Sequence, residues 1–153
     1  PTRYEYIKFG RHGRLDQMYE ACDVDLDQYF KFAFVRHPYT RFQSAYDYYT
    51  NSKETAKRAG FTNYYEMMDW IVESNAVKSH VKPQSYWHDQ RIDQYFKFEH
   101  VEQLSLEKFI PGLNYNKRSG TIIKSDHSEL DNDLKERIFK FYKNDFELFG
   151  YNF

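Results

Sequence analysis

The chain has 153 residues, 41% of them hydrophobic and 29% charged, a balance that predicts one globular domain over residues 1–153 rather than a disordered segment. Its 22 lysines and arginines against 23 aspartates and glutamates leave a net charge of −1, so composition makes no electrostatic case for nucleic acid as a partner. No run approaches the roughly 18 apolar residues of a membrane span, and the single cysteine, Cys22, excludes a disulfide within the chain, which fits a reducing compartment.

In chain order, Arg14 to Cys22 is a short candidate helix. The hexapeptide Asp-Gln-Tyr-Phe-Lys-Phe then occurs twice, at 27–32 and 93–98, and its aromatics predict an entry into a β-strand each time. Phe30 to Val35 is the better strand of the two, with Pro38 after it. Pro38 suits a first helical position, and the helix behind it is expected to run to about Lys57. Phe42, Ala45, Tyr46 and Tyr49 lie at i, i+3, i+4 and i+7 there and predict a buried stripe. Asn63 and Glu66 form a capping pair for a helix whose apolar face is Tyr64, Met67, Met68 and Ile71. A short helix is expected from about Leu104 to Ile110, and one continuous helix from Ser128 to Phe146, with Leu134, Ile138, Phe141 and Tyr142 on one side and Gly150 as its stop. Strands alternating with longer helices predict an α/β domain, a small parallel sheet covered by helices.

The chemically informative segment is Phe34-Val-Arg-His-Pro-Tyr-Thr-Arg-Phe-Gln-Ser-Ala-Tyr46. An apolar strand ends at Arg36 and a helix starts at Pro38. Ligands of α/β sheets bind beyond the carboxyl ends of strands, and a helix start there presents unpaired N–H groups and a positive dipole end. Arg36 adds a planar fork suited to phosphate oxygens. Ser44 adds a hydroxyl, and Arg41, three residues before it, shares its helix face.

This segment resembles the 3′-phosphate-binding element of the Golgi-type carbohydrate sulfotransferases and their bacterial relatives. In that family an arginine and a serine eight positions later grip the 3′-phosphate of 3′-phosphoadenosine 5′-phosphosulfate (PAPS), and Arg36 and Ser44 have that spacing. Three further stretches resemble the family in order. They are His80-Val-Lys-Pro-Gln84, Tyr95-Phe-Lys-Phe-Glu-His-Val-Glu102, and Phe141 to Tyr151. The resemblance implies a fold related to the P-loop kinases and transfer of a sulfuryl group to an acceptor hydroxyl, usually on a sugar, with PAPS as donor, 3′-phosphoadenosine 5′-phosphate (PAP) as product and no metal. It also implies a cytoplasmic setting for a bacterial protein and the Golgi lumen for a eukaryotic one. The family's opening loop for the 5′-phosphosulfate, of the type Pro-Lys-x-Gly-Thr-Thr, has no counterpart here. Gly10-Arg-His-Gly13 is a poor substitute, so the domain is expected to be truncated at its N-terminus, with the loop upstream of Pro1 or lost.

By its position before the phosphate strand, His12 is the family-matched candidate for the base that takes the acceptor's proton. Arg36, Ser44 and Arg41 are the candidates for the nucleotide. Lys117 and Arg118 match a late basic residue that relatives place over the phosphates. His80 and Gln84, in the motif before the second strand, are candidates for contacting the acceptor. His37 is expected to cap its helix, and Glu99 is expected to serve a helix start. Two rival functions stay open on the sequence: a non-catalytic nucleotide- or glycan-binding remnant of the same fold, and an unrelated aromatic-rich interaction module.

Overall fold

The computed structural model describes residues 13–23, 25–51, 60–74, 79–103 and 127–153. The first helix of the described residues is α1, Leu15–Ala21, whose first turn is closed by Gln17 accepting the Arg14 N–H at 2.8 Å. Strand β1, Phe32–Val35, leads through Arg36 and His37 into helix α2, Pro38–Asn51. Helix α3 is Tyr64–Glu73 and strand β2 is Gln94–Lys97. Helices α4, Asn132–Phe141, and α5, Lys143–Phe149, complete the chain. Among the described residues β1 and β2 form a two-stranded parallel sheet, Phe32 opposite Gln94 and Val35 opposite Lys97. This is the α/β arrangement with a small parallel sheet that the sequence predicts. The expected continuation of α2 to Lys57 and the helix at 104–110 lie outside the described residues.

The stripe on α2 is buried as predicted. Phe42, Ala45 and Tyr49 are inside and Tyr46 packs against them, together with Met67, Met68 and Ile71 of α3 and Leu134 and Ile138 of α4. Asn63 caps α3, its side-chain oxygen accepting the Glu66 N–H at 3.0 Å. Glu66 reaches back one residue further than a simple capping box, to the Thr62 N–H at 2.6 Å.

Two expectations are corrected. The repeated hexapeptide does not enter a strand the same way twice. In its second copy Gln94–Lys97 are β2. In its first copy Asp27 and Gln28 sit in a 3-10 turn, Leu26–Gln28, and only Phe32 reaches the strand. The difference lies in the neighbours: Asp25 accepts the Asp27 N–H at 3.0 Å and turns the chain, whereas Asp93 is drawn onto the sheet by its own N–H to the Lys31 carbonyl at 2.8 Å. The C-terminal helix is also not continuous. Tyr142, at φ −100° and ψ 22°, separates α4 from α5. Its carbonyl accepts the N–H groups of both Asp145 and Phe146, at 2.8 and 3.2 Å, and its buried hydroxyl donates to the Val81 carbonyl at 2.6 Å. The anticipated stop stands: Gly150 ends α5 in the left-handed region, φ 62°, where a glycine carries no Cβ penalty.

Candidate functional site

β1 delivers Arg36 to the carboxyl end of the sheet, and α2 carries Arg41, Ser44, Ala45 and Tyr48 along one side of the space beyond it. Ser79 and His80, in a turn between α3 and the second strand, line it as well. Together these seven residues line an open cleft of about 320 Å³. Arg36, Arg41, Ser44 and His80, chosen from sequence for a nucleotide or an acceptor, therefore share one cavity.

The two arginines are held in different ways. Arg36 is half-buried, and its guanidinium lies over the Phe98 ring, 5.6 Å from the centroid. Its Nε is buried and has no hydrogen-bond partner among the described residues. Burial lowers the Arg36 pKa, with the Glu99 carboxylate opposing that effect. Arg41 reaches the Ser79 carbonyl through Nη2 at 3.4 Å. Burial lowers its pKa as well, and Tyr142 and Asp145 oppose. Desolvated cations interact more strongly with an incoming anion than surface ones do. Ser44 is exposed on the cleft wall. The His80 imidazole stacks on the Tyr48 ring at 4.4 Å and 30°.

The start of α2 is not the open anion site that the sequence suggests. Glu99 Oε1 accepts the His37 N–H at 2.6 Å and the Thr40 hydroxyl at 3.4 Å, and its Oε2 accepts from Tyr151 at 3.1 Å. His37 Nδ1 accepts the Tyr39 N–H at 3.3 Å. Orphan N–H groups at a helix start need acceptors, and a carboxylate beside the positive dipole end is the strongest one a chain can supply. The expected helix-start roles of His37 and Glu99 are both present. Any anion in the cleft would thus be held by side chains.

Gln84 does not line the cleft. Its amide bridges the backbone of Arg36, accepting the Arg36 N–H at 2.9 Å and donating to the Arg36 carbonyl at 2.7 Å. Behind it the fully buried Asp145 carboxylate accepts the N–H groups of Gln84 and Ser85, each at 2.7 Å. Sequence reasoning passed over Asp145 as one residue of a terminal helix. The available signal was an acidic residue next to the apolar positions Tyr142 and Phe146, where only a carboxylate with buried donors would be stable. His12, Lys117 and Arg118 lie outside the described residues.

The model of the Sulfotransferase family matches residues 3–107, more than half of the chain, and that span contains the whole cleft. No curated protein and no solved structure matches the chain. A strand-to-helix turn bearing Arg36, with Arg41 and Ser44 on the following helix facing one cleft, thus lies inside a family match of this extent, and the chain belongs to the sulfotransferase family.

Proposed function

We propose that the chain, as a relative of the Golgi-type carbohydrate sulfotransferases and their bacterial counterparts, takes part in PAPS-dependent transfer of a sulfuryl group to a hydroxyl of a carbohydrate, and that the cleft binds the 3′-phosphate of the nucleotide. The observation that carries this reading is that Arg36, a half-buried cation, lines one open cleft together with Arg41 and Ser44, and that its buried Nε has no hydrogen-bond partner among the described residues. A partly desolvated guanidinium is costly unless an anion pairs with it. A phosphate monoester fits: Arg36 offers a planar fork, Arg41 a second cation and Ser44 a hydroxyl.

PAPS when bound would supply an activated sulfuryl group whose bond to the leaving phosphate breaks as a bond to the acceptor oxygen forms. The chain's own part in this reading is to anchor the nucleotide through Arg36, Arg41 and Ser44, and to present His80 and Tyr48 at the cleft wall toward nucleotide or acceptor. His12 takes the proton from the acceptor hydroxyl, and Lys117 and Arg118 steady the phosphates. These last three assignments rest on sequence position alone.

Thermal melting with PAP tests the anchor. Wild-type protein is expected to be stabilised in step with occupancy, by roughly 2.7 kcal/mol at a hundredfold excess over Kd. Arg36→Ala should weaken PAP binding by roughly ten- to a hundredfold, the worth of one charge-assisted contact. Equal stabilisation of both proteins would end the proposal. PAP binding without sulfuryl transfer from PAPS to any sugar in a glycan panel would leave the anchor in place and remove the catalytic half of the reading.

A further inference from the structure

We infer that Gln84 and Asp145 are positioning residues for the proposed phosphate contact: a relay from helix α5 through the Gln84 amide to the backbone of Arg36 that sets where the Arg36 side chain enters the cleft. The inference rests on the reading of the cleft given above and adds two residues that the reading does not need for contact.

Sheet pairing ends at Val35 opposite Lys97. Arg36, the next residue, has no strand neighbour for its N–H and carbonyl among the described residues, and a half-buried peptide group cannot be left unpaired. Gln84 supplies both missing partners from one side chain, accepting at 2.9 Å and donating at 2.7 Å. Among the neutral side chains a primary amide alone offers a carbonyl acceptor and an N–H donor in the spacing of a peptide. The pairing therefore extends the sheet by one residue, and that residue is the one that bears the guanidinium.

Gln84 is itself held. It opens the 3-10 turn Gln84–Trp87 directly after Pro83, and Asp145 fixes that turn with one carboxylate oxygen on each of the first two N–H groups, both at 2.7 Å. Asp145 is wholly buried, so nothing from solvent can replace it. The break at Tyr142 places α5 so that Asp145 meets the turn, and the same tyrosine's hydroxyl holds Val81, three residues before Gln84. Asp145 also acts on Arg41, whose charge it favours against the cost of burial. Loss of the relay should therefore be felt as loss of phosphate recognition before it is felt as loss of the cleft.

The test is the ratio of affinities for PAP and 5′-AMP, which differ in the 3′-phosphate, measured by calorimetry on the full chain. The variants are Arg36→Ala, Gln84→Ala, Asp145→Asn and the double variant Arg36→Ala/Gln84→Ala. Asn at 145 keeps one acceptor for two donors. The inference predicts that Gln84→Ala and Asp145→Asn each lower the ratio by roughly tenfold, the worth of one well-placed charge-assisted bond, with 5′-AMP affinity unchanged. It also predicts that the double variant discriminates no worse than Arg36→Ala alone, as coupled sites do. A Gln84→Ala protein with the wild-type ratio, or losses that add in the double variant, would overturn the positioning role while the phosphate reading stands. An Arg36→Ala protein with the wild-type ratio would overturn the phosphate reading and this inference with it. Should Asp145→Asn fail to fold, Gln84→Ala and the double variant decide alone.

Discussion

His37 shows how a single residue can serve two neighbourhoods. Its backbone N–H is taken by Glu99 and its ring nitrogen by Tyr39, while the ring itself packs 4.7 Å from His127 and 5.5 Å from Phe146. Burial, with His127 adding to it, pushes its pKa down from 6.5 to about 4. The neutral ring is thus the native form at neutral pH. Between pH 6.5 and about 4 the unfolded chain binds a proton at this site that the folded chain refuses. Stability therefore rises with pH through that window and is lost as the pH falls through it. Discounted for the part of the ring that water reaches, the effect is roughly 1–2 kcal/mol. Urea midpoints at pH 7.5 and 4.5 should differ accordingly, and His37→Asn, which keeps a capping side chain, should shrink the difference. An unchanged difference in that variant would place the pH sensitivity elsewhere.

At the scale of elements, most helix starts are written locally. The Asn63 side chain accepts the Glu66 N–H at 3.0 Å, and Glu66 returns to Thr62, so α3 begins where the capping pattern says it should. Asn63→Ala is expected to cost about 1 kcal/mol, read as a lower urea midpoint with the slope unchanged. No change would show that the burial of Met67, Met68 and Ile71 alone sets this boundary. The strands are different. The same six residues carry a strand at Gln94–Lys97 in one copy, while in the other Asp27 and Gln28 are in a 3-10 turn and only Phe32 is in a strand, because a strand is defined by what it pairs with and no hexapeptide carries its partner. The break between α4 and α5 belongs to the same class. Periodicity runs through Tyr142 without interruption, and the bond from its hydroxyl to Val81 that accompanies the turn in the backbone joins residues 61 apart.

For the whole molecule, α4 is the element that joins the parts. It packs against both α2 and α3, and Ile138 on its inner face is fully buried in the common core. Ile138→Ala should destabilise the fold by roughly 2–5 kcal/mol, seen as one cooperative transition moved to lower urea. A variant that loses α4 while α2 and α3 stay folded, seen as a second transition, would show that the core is not one unit. The cleft depends on this arrangement, since α2 provides one wall and the turn secured by α5 stands behind Arg36.

Sequence alone was enough for the α/β character, the buried stripe of α2, the cap of α3, the Gly150 stop and the choice of Arg36, Arg41, Ser44 and His80, which line one cleft. Each of these is carried by spacing along one element or by a short motif, and such information survives without coordinates. What had to wait for the fold was which donors are already spent and which are left for a ligand. Glu99 filling the start of α2, Gln84 clasping the backbone of Arg36, and Asp145 standing behind Gln84 join residues 62, 48 and 61 apart in the chain. Hydrogen bonds over such separations depend on how elements pack, a global property that no local pattern encodes.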